Sequence, residues 1–222
     1  MIFSLIGFIV TINKNNISLE MMSYCYQEKL NNTYSGKTVY YNQEDPKWAD
    51  IPYNTYDSTI GTSGCGVTAM AMILATMKDK NINPIELANF SMENGYCEGY
   101  TTRQFFTDIV NKEEYSLNLT RLYGYETENL KNLLSDGKHM AIAIMKPGHF
   151  TIEGHYVVVY GFEEINGQDY FKVMDPHKDN DNYGNDGQVI YNDLKNGRVK
   201  ASELLFQNES DEYWIYSKDD KM

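Results

Sequence analysis

From Val67 to Met77 the chain reads VTAMAMILATM, eleven residues without a charge. The run has no polar stripe, so as a helix it would be apolar on every side and would have to be packed on every side. Ala69, Ala71 and Ala75 would let neighbouring elements approach it closely. Whatever this chain folds into is therefore built around that helix, expected over Val67 to about Lys78. Just before it stands GTSGCG, Gly61 to Gly66, which reads as a loop that places Cys65 at the helix mouth.

The rest of the first half is helical. Asn83 is placed to cap a helix with Pro84 at its first position, and Asn94-Gly95 is a left-handed stop. TTRQFFTDIVNKEEY predicts a third helix capped by Thr101 or Thr102, and TENLKNLLSDG a short fourth closed by Gly137. TVYYNQEDPKWADIPY is expected to be extended, because Pro46 and Pro52 break any helix. The second half changes character. HMAIAIMK, HYVVVYGF and DYFKVMD are β-branched or alternating runs, SDEYWIYSK is a last short strand, and Asn166-Gly167 signals a tight hairpin. Helices first and an antiparallel sheet second make the class α+β.

The N-terminus divides from this body. Met1 to Ile12 is apolar but short for a membrane span, and it has the length of a signal-peptide core. It lacks a basic start, since Lys14 is the first lysine, and no clean cleavage motif follows. An export signal is the favoured reading, over an anchor or a helix packed on the domain, and it implies an extracellular or envelope location. Asn13 to Lys37 reads as a polar linker or arm, so the organisation is 1–37 and then one domain over 38–222. A formal net charge of -12 repels phosphate backbones and argues against a nucleic-acid partner. Three cysteines, Cys25, Cys65 and Cys97, are too few for a disulfide scaffold and lack zinc-site spacing. A Cys25–Cys97 pair after export stays open beside a buried free thiol. No cofactor or metal motif stands out. The loop DPHKDNDNYGNDG breaks the EF-hand spacing at Tyr183 and reads as a solvated loop.

Cys65 has two readings, a small residue buried at a tight turn or a nucleophile. A helix N-terminus favours a thiolate, and Gly64 and Gly66 would leave the sulfur unshielded. A cysteine nucleophile needs a base, and the base an orienting group. His155 opens one strand and Asp175 closes the next, so an antiparallel hairpin brings them together. The register decides whether they share a face. A two-residue Asn166-Gly167 loop in a regular ladder sets Val158 opposite Asp175, which turns His155 and Asp175 to opposite faces. One extra residue on the first strand sets Val157 opposite Asp175 and makes the two diagonal neighbours on one face. A shared site therefore predicts a bulge or a longer turn within Phe162 to Tyr170. His149, in PGHF, competes as base but has no acid in an obvious strand partner, and His177 sits in a loop. Trp48 and Trp214 read as core or groove lining.

YYNQEDPKWADIPY, GTSGCGVTAMAMIL, GHFTIEGHYVVVYGF and KVMDP, in this order, resemble the C39-like branch of papain-like cysteine peptidases. The resemblance spans about Thr38 to Tyr216. It implies a papain-like fold with a nucleophile-bearing helix on an antiparallel sheet. It further implies Cys65 as nucleophile, His155 as general base, Asp175 as the group orienting the imidazole, and Gln43 as an oxyanion donor. Gln43 lies farther upstream of the cysteine than in bacteriocin-processing relatives. The activity implied is hydrolysis of amide bonds in peptides, proteins or cell-wall cross-links through an acyl-enzyme. Two other functions share the fold: acyl transfer to an amine, and a catalytically silent peptide-binding domain. The right residue types at all three triad positions argue against the silent domain.

Overall fold

The computed structural model describes residues 32–54, 57–191 and 196–218. The apolar N-terminal segment, Cys25 and most of the polar arm lie outside them. No helix among the described residues is long and apolar enough to cross a membrane.

The helical half begins with a single turn, α1 (Ile60–Ser63), followed after Gly64 by α2 (Cys65–Met77), α3 (Pro84–Glu93) and α4 (Arg103–Asp108). The expected loop at Gly61 to Gly66 is thus largely helical, and α2 starts at the cysteine itself. Every α2 residue from Gly66 to Ala75 is buried, as its composition requires. Asn83 caps α3 through bonds from the Ile85 and Glu86 N–H groups. The third predicted helix is shorter than its sequence suggests. After Asp108 the chain continues as two 3-10 turns, Ile109–Asn111 and Glu113–Tyr115. The segment around Trp48, expected to be extended, is a series of turns, with the Trp48 ring buried and its N–H on the Asn42 carbonyl.

The strands are β1 (Asn118–Tyr123), β2 (Met140–Met145), β3 (His155–Ile165), β4 (Gln168–Met174), β5 (Val189–Ile190), β6 (Arg198–Ser202) and β7 (Ser210–Ser217). They form one antiparallel sheet in the order β1-β7-β2-β3-β4-β6-β5. Helix α5 (Thr127–Leu134) precedes β2, and α6 (Glu203–Glu209) joins β6 to β7. The pleat sends alternate side chains to two cores. Tyr156, Val158 and Met174 face α2, α3 and α4, with Trp214 fully buried among them. Val157, Val159 and Val173 face Leu130 and Leu134 of α5 and Phe206 of α6. The class is α+β, with the buried helix packed on an antiparallel sheet.

The hairpin joining β3 and β4 has the two-residue Asn166-Gly167 turn, both residues in the left-handed region at φ 52° and 81°. The ladder is regular from Ile165↔Gln168 to Gly161↔Lys172, then slips by one residue to Val159↔Val173. The extra residue lies on the first strand, as the shared-face geometry requires. It is at Val159–Gly161, however, and not within Phe162 to Tyr170. A side chain at Gly161 would overlap the backbone of Asn32 and Thr33. Thr33 bridges to Gly161, Tyr34 N–H donates to the Tyr160 carbonyl, and Phe162 N–H donates to that of Asn32. The end of the presumed linker is therefore bound into the domain, ahead of the expected boundary at Thr38.

Candidate active site

Cys65 is the first residue of α2, half-buried, and His155 is the first residue of β3. The two flanking glycines have a packing role that differs from the expected unshielding of the sulfur. A Cβ on Gly64 would lie 2.5 Å from the Ile60 carbonyl oxygen, and one on Gly66 would lie 2.5 Å from Cβ of Thr101. Glycine is required because chain and helix touch there.

His155 joins two partners. Its Nε2 is 2.6 Å from Asp175 Oδ1, which leaves Nδ1 for the hydrogen bond between the imidazole and the Cys65 thiol. The β3 bulge accounts for the first contact, because the shifted register sets Asp175 opposite Val157 and on the side of His155. Burial alone would push the Cys65 thiol up. The hydrogen bond and charge of His155, with backbone N–H bonds from Tyr156 and Gly66, outweigh it and hold the thiol below its ordinary value. Burial would likewise depress His155, but the charge and hydrogen bond of Asp175, then Cys65, push it up to about 10. The two shifts act in the same sense and favour a thiolate beside an imidazolium.

Asp175 is fully buried and nonetheless ionised. Burial raises its pKa, and His155, Tyr183 and Asn180 more than reverse that. Oδ1 also accepts the His177 backbone N–H at 2.8 Å. Oδ2 accepts Tyr183 OH at 2.6 Å and Asn180 Nδ2 at 3.0 Å. Four donors saturate the carboxylate, and Tyr40 OH donates to the carbonyl of the same residue at 2.8 Å. The loop from Asp175 to Gly187 is thus only partly solvated. Asn180 and Tyr183 are buried and grip the acid, a role sequence spacing does not reveal; the only hint is an aromatic residue within an otherwise polar loop. Among the described residues no cluster of metal-ligating side chains occurs.

Gln43 is brought near this constellation but is not seen lining the cavity around Cys65 and His155. Its Nε2 donates to the Gly61 carbonyl at 2.7 Å, four residues before the cysteine, and its backbone N–H donates to Pro176 O. His149 is elsewhere. It does find acids, Glu209 Oε1 at 2.6 Å from Nδ1 and Asp186 Oδ2 at 3.1 Å from Nε2, both reached through long-range packing and not through a strand partner. His177 faces Glu44 at 3.7 Å, and His139 pairs with Asp136 in a turn. Cys97 is a buried free thiol.

The cavity in front of Cys65 and His155 measures about 420 Å³. Its walls come from Thr62 and Ser63 of α1, from Gly99, Tyr100 and Arg103, and from Ile144, Glu153 and Gly154. An α+β domain that sets a half-buried cysteine at a helix mouth against a carboxylate-held histidine has the architecture of a papain-like peptidase. The model of the Peptidase_C39 like family matches residues 37–199, and the chain belongs to that family. No curated protein sequence matches the chain. Among solved structures it is similar to UfSP from C. elegans, at 16% identity and a TM-score of 0.38, over 84% of this chain and 33% of that one. The chain thus spans about a third of that protein, and a likeness this distant carries no argument about activity.

Proposed function

We propose that this chain is a cysteine peptidase in which Cys65 is the nucleophile, His155 the general base and Asp175 the group that orients the imidazole. The observation that carries the reading is His155 held between the thiol and a saturated, buried carboxylate. The Cys65 proton resides on His155 Nδ1, and the sulfur attacks an amide carbonyl in the cavity. The oxyanion forms at the N-terminal turn of α2, where backbone N–H groups lack intrahelical acceptors. Gln43, whose Nε2 donates to the Gly61 carbonyl just ahead of α2, is the side-chain candidate for a further oxyanion donor. His155 then protonates the leaving amine, and water releases the thioester. Substrates are peptides or peptide cross-links.

The test is limiting iodoacetamide near pH 6, with mass-spectrometric mapping of the modified cysteine and a parallel casein digest. Fast labelling of Cys65 alone and casein cleavage, both lost in His155→Ala, are expected. An unperturbed thiol, with a pKa near 8.5, is almost wholly protonated at that pH. Slow labelling that His155→Ala leaves unchanged refutes the reading. An added amine captured in the product, in place of hydrolysis, would identify an acyltransferase.

A further inference from the structure

The cavity in front of Cys65 carries two formal charges besides the Cys65–His155 pair, on Arg103 and Glu153. The charge of Arg103 is spent within the protein. Its guanidinium pairs with Asp211 and, at 3.4 Å, with Glu212, and Arg121 matches Glu212 in turn. Two cations and two anions cancel. A thiolate beside an imidazolium is neutral as a pair, and the charge of Asp175 behind it lies outside the cavity lining, buried and held by four donors. Glu153 differs. It is exposed, and its backbone N–H is held by Thr151 Oγ1 at 3.1 Å. Among the described residues its carboxylate has no hydrogen-bond or ion-pair partner.

Glu153 is two residues from His155, at most about 7 Å of chain. Between them stands Gly154, which has no side chain to screen the carboxylate from the reacting centre. We propose that Glu153 makes this cavity select a substrate bearing an ammonium group beside the bond presented to Cys65. The cation is either a lysine side chain or a free α-amine. The proposal rests on the peptidase reading above and names the substrate class of the same site. An exposed carboxylate about 4 Å from an ammonium changes its local binding about fivefold, less in salt as the field is screened.

The experiment reads the charge at Cys65 directly and needs no turnover. The folded chain is treated with a cationic, an anionic and a neutral methanethiosulfonate, and the rate of Cys65 modification is followed by mass spectrometry. In Glu153→Gln the cationic rate is expected to fall about fivefold against the neutral reagent and the anionic rate to rise, so that their ratio falls by more than either alone, and in Glu153→Lys further, with Glu153→Asp close to the parent. The neutral reagent, unchanged throughout, reports that the site is folded. A ratio that neither Glu153→Gln nor Glu153→Lys alters overturns the proposal. Short peptides then compete with the label. Better protection by an acetylated lysyl peptide assigns the side chain, and better protection by a free-amine alanyl peptide assigns the α-amine. Equal protection by a neutral acetylated peptide overturns the selection. Failure of the peptidase reading is separate: it appears as a slow Cys65 reaction indifferent to His155→Ala, while the charge ratio is still measured on the same thiol.

Discussion

Replacing Tyr183 with phenylalanine isolates one of the four hydrogen bonds on Asp175. The phenol donates to Oδ2 at 2.6 Å, and its ring sits 5.5 Å from Phe150 and 5.6 Å from Tyr191. Phenylalanine keeps those ring contacts, so no cavity opens and the loss is that of the bond. A hydrogen bond to a buried charge contributes about 1.5–3 kcal/mol. For a domain of this size about 2 kcal/mol lowers Tm by about 6 °C. His155, His177 and Asn180 still hold the carboxylate, so it stays ionised at neutral pH, and fast labelling of Cys65 at pH 6 is retained. The pH dependence has a definite sign. The folded-state pKa of Asp175 lies below its ordinary value, so the stabilisation is present above about pH 4 and is lost as pH falls through the folded value. Urea unfolding of the parent and Tyr183→Phe at pH 7 and in acid measures both effects. A deficit below about 0.5 kcal/mol at pH 7, or one undiminished in acid, refutes the view that the loop stabilises the ionised acid.

Gly66→Ala forces a methyl group against Thr101, which also bonds Tyr53 at 2.7 Å, and should cost about 1–3 kcal/mol by overpacking, measurable as a lower urea midpoint. His149→Gln should leave Cys65 labelling within about twofold of the parent, since His149 is tied to Glu209 and Asp186 and does not line the cavity. Peptide hydrolysis should decline as pH rises through about 10, where His155 loses the proton it must give to the leaving amine. Alkylation of Cys65 should not decline there, because the thiolate persists; parallel profiles of the two rates check this.

The parts legible in sequence were those fixed by local chemistry. An all-apolar helix admits one environment, and Asn83-Pro84 and Asn166-Gly167 set their own backbone. The pairing of His155 with Asp175 was legible because hairpin order alone brings strand start to strand end. What escaped depends on distant contacts. β1 escaped because NLTRLY is an edge strand, exposed or half-buried at every position, with little hydrophobic signal. The bulge escaped its expected window because it is fixed where Asn32 to Tyr34 dock against Tyr160 and Gly161, a contact no local pattern encodes. The grip of Asn180 and Tyr183 on Asp175 escaped because a buried carboxylate recruits donors wherever the loop returns them. Gln43 was placed near the site by resemblance, and Gly61, which binds its amide, could not be foreseen from spacing.

The slip between Val159 and Gly161 also sets which changes of length this gene tolerates. Deleting one codon from Tyr160 to Ile165 removes the extra residue, evens the ladder and keeps Val157 opposite Asp175, whereas inserting one codon there with the slip kept brings Val158 opposite Asp175. The carboxylate then points into the α2 core while the imidazole keeps its own side. Substitutions in that stretch alter packing by degrees, whereas a single in-frame insertion with the slip kept divides histidine from aspartate altogether. The reading frame of one hairpin arm carries the site as surely as the identity of its residues.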